Sequence, residues 1–344
     1  RVLRLLLAGV APQRVLCLTF TKAAAAEMAR RINAELGDWA VLDDVGLHGR
    51  LEDLLGEAPP EDASRRARQL FARVLEAPGG MKIMTIHAFC QSVLRRFPLE
   101  AGVVPYFQVM EERDAGELLE DAKAALLASA HMDDGDLGMA VANVAGRVHE
   151  TRFPDLLNEI SRARAPFADM LQEFGGLDGV RTRIAEILDV APDTDPVAVL
   201  ADACAEDAFD GPGLRHAASV LAAGSSGDAK RAVLVGDWLA GDSDTRRESF
   251  DAYALAYLTQ QGELRKQLAT KAIRENHPDS DAALHAEGER LLSVRELLRK
   301  ADLYQANNAL IRLAAELVSR YEARKAASGR LDYDDLIART RALL

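Results

Sequence analysis

Apolar and polar positions recur along this chain in two different ways, and the change from one to the other divides it. Val2, Leu5 and Leu6 fall on one helical face, with Gly9 and then Pro12 beyond them, so residues 1–8 read as the end of a helix. Val15, Leu16, Cys17 and Leu18 then form an unbroken apolar run of strand length, the pattern of a strand buried on both faces of a parallel sheet. The run passes through Thr19-Phe20-Thr21-Lys22 into an alanine-rich helix predicted over 23–36, with Gly37 as its stop. Strand followed at once by helix is half of a βαβ unit. A second such junction lies further on: Lys82-Ile83-Met84-Thr85-Ile86 reads as a strand and leads into His87-Ala88-Phe89-Cys90 and a helix to Arg96, ended by Pro98. Between the two junctions, residues 38–80 form a polar helical excursion with segments at 51–55 and 61–75, bounded by Pro59-Pro60 and Pro78-Gly79-Gly80, which reads as an insertion.

From 111 to 329 no strand pattern is found. Amphipathic helices are predicted instead, among them 115–130, 154–164, 180–188, 231–239 and 247–268, separated by Gly, Pro, Asp and Ser breaks. No fixed repeat period runs through them, which argues against a solenoid. Neither Gly nor Pro occurs between 289 and 328, leaving room for a helix of roughly 60 Å at 1.5 Å per residue. After Gly329 the stretch Leu331-Asp332-Tyr333-Asp334-Asp335-Leu336-Ile337 opens one more helix, with Asp332 as its N-cap. The expected fold class is α/β with a large all-α insertion.

Composition alters this little, and charge alters it more. The 344 residues leave room for two or three domains, and alanine and leucine dominate over the 5% aromatics, which favours helix over sheet. A formal net charge of -12 does not advertise nucleic acid. The distribution is uneven, however. Residues 1–36 carry Arg1, Arg4, Arg14, Lys22, Arg30 and Arg31 against Glu27 and Glu35, and residues 81–98 carry Lys82, Arg95 and Arg96 with no acid. The acidic excess belongs to the remaining helices, as solvated faces. Cys17, Cys90 and Cys204 are far apart and without zinc spacing, as expected of buried free thiols in a reducing cytoplasm. The apolar start at 2–8 is too short to span a membrane. The chain opens on Arg1 and its last residues, 338–344, continue helically without a stop signal, so the expectation is a fragment cut at both ends.

Thr19, Phe20, Thr21 and Lys22 fall where a strand's carboxyl end meets a helix start, the edge at which open α/β sheets bind ligands. Hydroxyls and one lysine beside free backbone N–H groups make a phosphate-contacting cluster. From these residues alone the stretch reads also as an ordinary βα turn with a threonine cap. His87 reads as a structural histidine or as a contact residue, and Phe20 and Phe89 as core or as stacking residues. Asp334 and Asp335 read as a helix start stabilised by the dipole, which needs no ion.

Three blocks stand in order: LTFTKAAAAEM from residue 18, MTIHAFC from residue 84 and LDYDDLI from residue 331. Together they resemble the UvrD/RecB-type DNA helicases of superfamily 1. RVLRLLLAG, LGDWAVLDD and RRFPLEAGV around them are similar to the AddA branch of that family, the helicase subunits of double-strand-break repair helicase-nucleases. The resemblance is dense over residues 1 to 112 and clear over 329–344, and it extends to the helical middle in position and character only. It implies a partial RecA-like parallel-sheet domain of P-loop NTPase type (domain 1A, residues 1–112, with 38–80 a helical insertion), a helical 1B domain over 113–328 and a return into 1A over 329–344.

The first block matches the family's motif Ia, commonly TFTNKAA, which implies that Thr19, Phe20, Thr21 and Lys22 sit against single-stranded DNA. Lys22 stands where many members have Asn, and Ala23 where they have Lys, so the charge has moved by one position. The second block matches T-x-H-[SAG]-F, which implies Thr85 and His87 as strand contacts and Phe89 as a packing or stacking residue. The third resembles the D-F-D-D-L sequence that closes the 1B domain. The implied activity is ATP-driven 3′ to 5′ movement on DNA in repair and recombination, with ATP and Mg²⁺ as cofactors. The implied partners are single-stranded and duplex DNA and an AddB-like protein. No GxxxxGK[ST] occurs in the sequence and no DExx strand is present. The resemblance puts the first upstream of Arg1 and the second downstream of Leu344. No residue here is therefore expected to be catalytic or to hold ATP or metal, and the segment alone is expected to be inactive. The alternative from another class is a non-enzymatic helical interaction module whose α/β part only props the helices.

Overall fold

The computed structural model describes residues 1–132 and 135–344; Asp133 and Asp134, within the stretch expected to form the helical domain, lie outside the described residues. The chain divides into two compact units, one made of Arg1–Leu118 with Ala323–Leu344 and one of Leu119–Glu322.

In the first unit, α1 (Val2–Leu7) ends at Ala8, and Gly9 takes a φ of +90° that reverses the chain at no Cβ cost. A short 3-10 turn from Pro12 leads into β1 (Leu16–Thr19). Burial along β1 alternates: Cys17 is buried, while Leu16 and Leu18 are each 42% exposed. The sequence expectation of burial on both faces is therefore corrected. Val15 and Cys17 join the core of Leu6, Ile32, Leu36, Trp39 and Leu70 on one face, and the alternate side chains face the other way.

Helix α2 (Lys22–Val41) runs through Gly37 instead of stopping there. Leu36 and Trp39 on either side are both buried, and the Trp39 indole N–H donates to Glu35 at 3.0 Å. Burying these side chains outweighs the roughly 1 kcal/mol that a mid-helix glycine costs. The excursion that follows holds α3 (Asp44–Leu55), closed by Gly56 at φ +78°, and α4 (Ala63–Leu75). Ala63, Ala67, Leu70 and Val74 recur at helical spacing and bury one stripe of α4 in the same core as α2.

The chain returns as β2 (Lys82–Thr85), parallel to β1 in the register Leu16↔Lys82, Cys17↔Ile83, Leu18↔Met84 and Thr19↔Thr85. Ile86 belongs to α5 (Ile86–Arg96) and not to the strand, because Thr85 already serves as the helix cap. A two-residue β3 (Gln108–Val109) completes this part of the unit.

The second unit is helical. It comprises most of α6 (Glu112–Met132), then α7 (Asp136–Arg147), α8 (Phe153–Arg162), α9 (Arg164–Glu173), α10 (Leu177–Leu188), α11 (Pro196–Ala203), α12 (Gly211–Ala222), α13 (Ser226–Ala240), α14 (Ser243–Glu248), α15 (Phe250–Tyr257), α16 (Lys271–Asn276) and most of α17 (Pro278–Ser328). Two predicted helices are corrected. The segment expected at 154–164 breaks at Ala163 between α8 and α9. The segment expected at 247–268 is α14 and α15, followed by a reversal at Gly262, φ +84°, that pairs Leu258 with Leu264 in an antiparallel bridge. Its apolar residues serve a common core by folding back: Tyr253, Tyr257, Leu258 and Leu268 are all buried with Phe209, Trp238, Leu284 and Leu291. Trp238 and Tyr253 stack with centroids 3.9 Å apart and planes within 4°.

Helix α17 begins earlier than the Gly-free stretch suggested and runs for 51 residues, roughly 75 Å. Gly288 lies inside it because Leu264 packs there: a Cβ would stand 2.4 Å from Leu264 Cδ1. After Gly329, φ +62°, β4 (Arg330–Leu331) pairs in parallel with β3, and α18 (Tyr333–Leu343) follows. All three cysteines are free and buried, and burial pushes the Cys17 and Cys204 thiols up. Among the described residues no helix is long and apolar enough to cross a membrane.

Candidate nucleic-acid interface

The parallel register sets Thr19 beside Thr85, so both strand-to-helix junctions emerge at one edge of the sheet. Each junction is built the same way. Thr21 leaves the strand in extended conformation and its Oγ1 accepts from the Ala24 N–H at 3.1 Å, capping α2. Thr85 does so for α5, accepting from the Ala88 N–H at 3.2 Å. Both hydroxyls act as acceptors toward their helices, which leaves each O–H proton available to an outside acceptor. The Thr19 hydroxyl, by contrast, donates to the Thr21 carbonyl at 3.0 Å and braces the turn.

The electrostatics of this edge are one-sided. Neither α2 nor α5 has an acid in its first turn, whereas α3, α6, α17 and α18 all open with Asp or Glu. Two helix N-termini thus present partial positive charge without local neutralisation. Lys22, at the first position of α2 and exposed, adds a full charge there, a placement the helix dipole disfavours. Glu27, one turn on, is tied to Arg30 at 2.8 Å, and that hydrogen bond lowers its carboxyl below the ordinary value.

Aromatic surface lies among these groups. Phe20 is 86% exposed between the two threonines of the first junction. Half-buried His87 lies against Tyr333 of α18, ring centroids 4.7 Å apart and planes tilted by 48°. Phe89 turns inward, packing against the core of Cys90, Leu94, Val103, Phe107, Leu331 and Leu336. Arg95 and Arg96 stand in the last turn of α5, roughly 15 Å along the helix from Thr85, against the rings of Phe107 and Phe97 at 5.8 and 5.9 Å. The structure therefore brings Thr19, Phe20, Thr21, Lys22, Thr85 and His87 to one edge and leaves Phe89 and the two arginines elsewhere. An edge with hydroxyl and ammonium donors, helix N-termini and exposed rings has the chemistry to meet phosphates and base faces.

Two residues near this edge were not singled out from sequence. Tyr333 was visible only as the aromatic inside the third block, and its contact with His87 required the packing of α18 on α5. Lys325 gave no signal: a lysine in a helix rich in charged residues, it is buried and hydrogen-bonded to Asp332 and Asp335. Asp332 caps α18 as expected, in a reciprocal capping box with Asp335. Asp335 is engaged with Lys325, and among the described residues no group of three or more His, Cys, Asp or Glu is arranged to hold a metal.

Comparison with known proteins adds a separate line of observation. The family model described as the UvrD/REP helicase N-terminal domain matches residues 1–344. The chain is similar to AddA, the ATP-dependent helicase/nuclease protein, of Desulforudis audaxviator, with 28% identity over 98% of this chain and 27% of that protein. The protein of the same name from Pediococcus pentosaceus is 25% identical over 46% of this chain and 12% of its own length. That of Lactobacillus gasseri is 31% identical over 35% and 8%. The chain spans about a quarter or less of the length of these curated relatives.

Proposed function

The chain belongs to the UvrD/REP helicase N-terminal domain family, and from that premise we propose that it is the strand-gripping part of an ATP-dependent 3′ to 5′ DNA helicase of the AddA type, acting in double-strand-break repair and recombination. In this reading the first unit is part of a RecA-like domain 1A, and the helical unit is the 1B insertion. Thr21, Thr85 and Lys22 hold phosphates of a single DNA strand, Phe20 and His87 meet its bases, Thr19 braces the turn, and Phe89 packs behind them. The observation that carries the proposal is the β1–β2 register, which sets two capped, acid-free helix starts side by side at one sheet edge. Contacts of this kind are made to phosphate and to base faces, so they tolerate any sequence, as movement along DNA demands.

ATP and Mg²⁺ have no holder among these residues. The sequence contains no GxxxxGK[ST], and the acids near the edge, Asp332 and Asp335, are already paired with Lys325. In the intact enzyme the nucleotide and its metal are held by other segments, and an AddB-like protein is the partner. The test is equilibrium binding of a fluorescent oligothymidylate across a salt series. Wild type should bind with a clear inverse salt dependence, and Phe20→Ala and His87→Ala should each weaken binding by about tenfold, within the range of one base stack. Binding that neither substitution changes overturns the proposal.

A further inference from the structure

Lys325 is 2% exposed, and an ammonium so deeply buried is costly unless it is paired and hydrogen-bonded. Its Nζ donates to Asp332 Oδ2 at 3.0 Å and to Asp335 Oδ1 and Oδ2 at 2.8 and 2.7 Å. The two carboxylates do not need it to start α18. They already cap the helix reciprocally, Asp335 N–H to Asp332 at 2.9 Å and Asp332 N–H to Asp335 at 2.9 Å. A like capping box, Ser225 with Asp228, opens α13 without any lysine. What the lysine adds is a fixed relation between the last turn of α17, where it sits, and the first turn of α18. The residue between the two gripped aspartates that leaves this cluster is Tyr333, 42% exposed, whose ring lies on His87. His87 in turn stands in the first turn of α5, two residues from the Thr85 cap.

We propose that Lys325 is a positioning residue for His87: by clamping Asp332 and Asp335 it sets the first turn of α18, so that Tyr333 holds the imidazole in its strand-facing orientation. This rests on the reading of the Thr85 and His87 junction as a DNA contact. The lysine itself touches no DNA. It acts through two carboxylates and one ring, and its removal alters where His87 points before it alters anything else at the edge.

The experiment uses the complete chain with ¹³C-labelled histidine, the Lys325→Met and Lys325→Arg variants, and Asp335→Asn, which keeps a cap-competent side chain. Two readouts are taken on each: the imidazole resonances of His87, assigned by His87→Ala and displaced by the Tyr333 ring, and affinity for oligothymidylate. Leu36→Ala, which destabilises the same unit from another core, is the control for stability alone. Lys325→Met should move the His87 resonances toward those of an unstacked histidine and weaken binding by about tenfold, with Lys325→Arg retaining part of both. Leu36→Ala should lower the melting temperature and move neither. Should Lys325→Met fail to fold, Asp335→Asn carries the test with the same expected direction. Unmoved His87 resonances in a folded Lys325→Met or Asp335→Asn variant overturn the proposal, as does an equal displacement in Leu36→Ala. If His87→Ala leaves affinity unchanged while Lys325→Met still displaces the ring, the positioning stands and the DNA reading of His87 falls.

Discussion

Lys22 is the residue at which the two descriptions of this edge diverge most. A cation at the first position of a helix opposes the dipole, and nothing in the fold compensates it locally. A phosphate would. Lys22→Ala should leave stability unchanged or slightly raised. It should weaken oligothymidylate binding and reduce the slope of log affinity against log salt by about 0.7, the value for one contact to a single strand. An unaltered slope removes Lys22 from the interface. Thr85 has a double role, since its oxygen caps α5 whatever its proton meets. Thr85→Ala should cost about 1 kcal/mol in denaturant unfolding and Thr85→Ser much less, because serine caps as well. Most of these side chains were legible from local pattern: a strand end, two threonines and a helix start lie within a few residues. Phe89 shows where that legibility stops, since an aromatic two places beyond His87 on a helix start faces the core or the solvent according to what packs behind it.

At the scale of elements, helix ends carry much of the specification. Asp228 illustrates it: buried, it closes the capping box of α13 with Ser225 and also accepts from the Thr270 N–H at 3.2 Å, which ties the start of α16 to α13. Burial by itself would raise its carboxyl, but the hydrogen bonds from Ser225 and Thr270 outweigh it and hold it below the usual range. A depressed folded value means that Asp228 stabilises the fold above the unfolded carboxylate range and loses that contribution as pH falls through the folded value. Asp228→Ala should cost about 1–3 kcal/mol near neutral pH, because the Ser225 and Thr270 donors lose a buried acceptor. The gap between wild type and variant should close as pH drops below about 4. Chemical denaturation at a series of pH values measures it, and a gap independent of pH refutes the assignment. The breaks of the helical unit were harder to read than its helices. The segment 247–268 keeps an apolar periodicity throughout, yet it folds back at Gly262 because its tyrosines and leucines bury more surface around Trp238 than one straight helix would.

For the whole molecule, a net charge of -12 coexists with an edge that carries no acid at either helix start. Repulsion from the acidic surface is long-ranged and screened, whereas the grip is local, so binding should weaken steadily with salt rather than strengthen. The chain by itself should release no phosphate from ATP in the presence of DNA, since no P-loop lysine is present; DNA-stimulated release by the purified segment would sink that expectation. What the sequence alone determined is the set of features held within a turn or two of backbone. These are the two strand-to-helix junctions, the threonine and aspartate caps, the helical character from 111 to 329 and the three blocks in order, all set by propensity and hydrogen bonds between near neighbours. What only the tertiary structure decided is which of these meet. The pairing of Thr19 with Thr85, the contact of Tyr333 with His87 and the burial of Lys325 between two aspartates each depend on how separate elements pack. Strand register and burial are decided by the partner surface, which a local pattern does not contain.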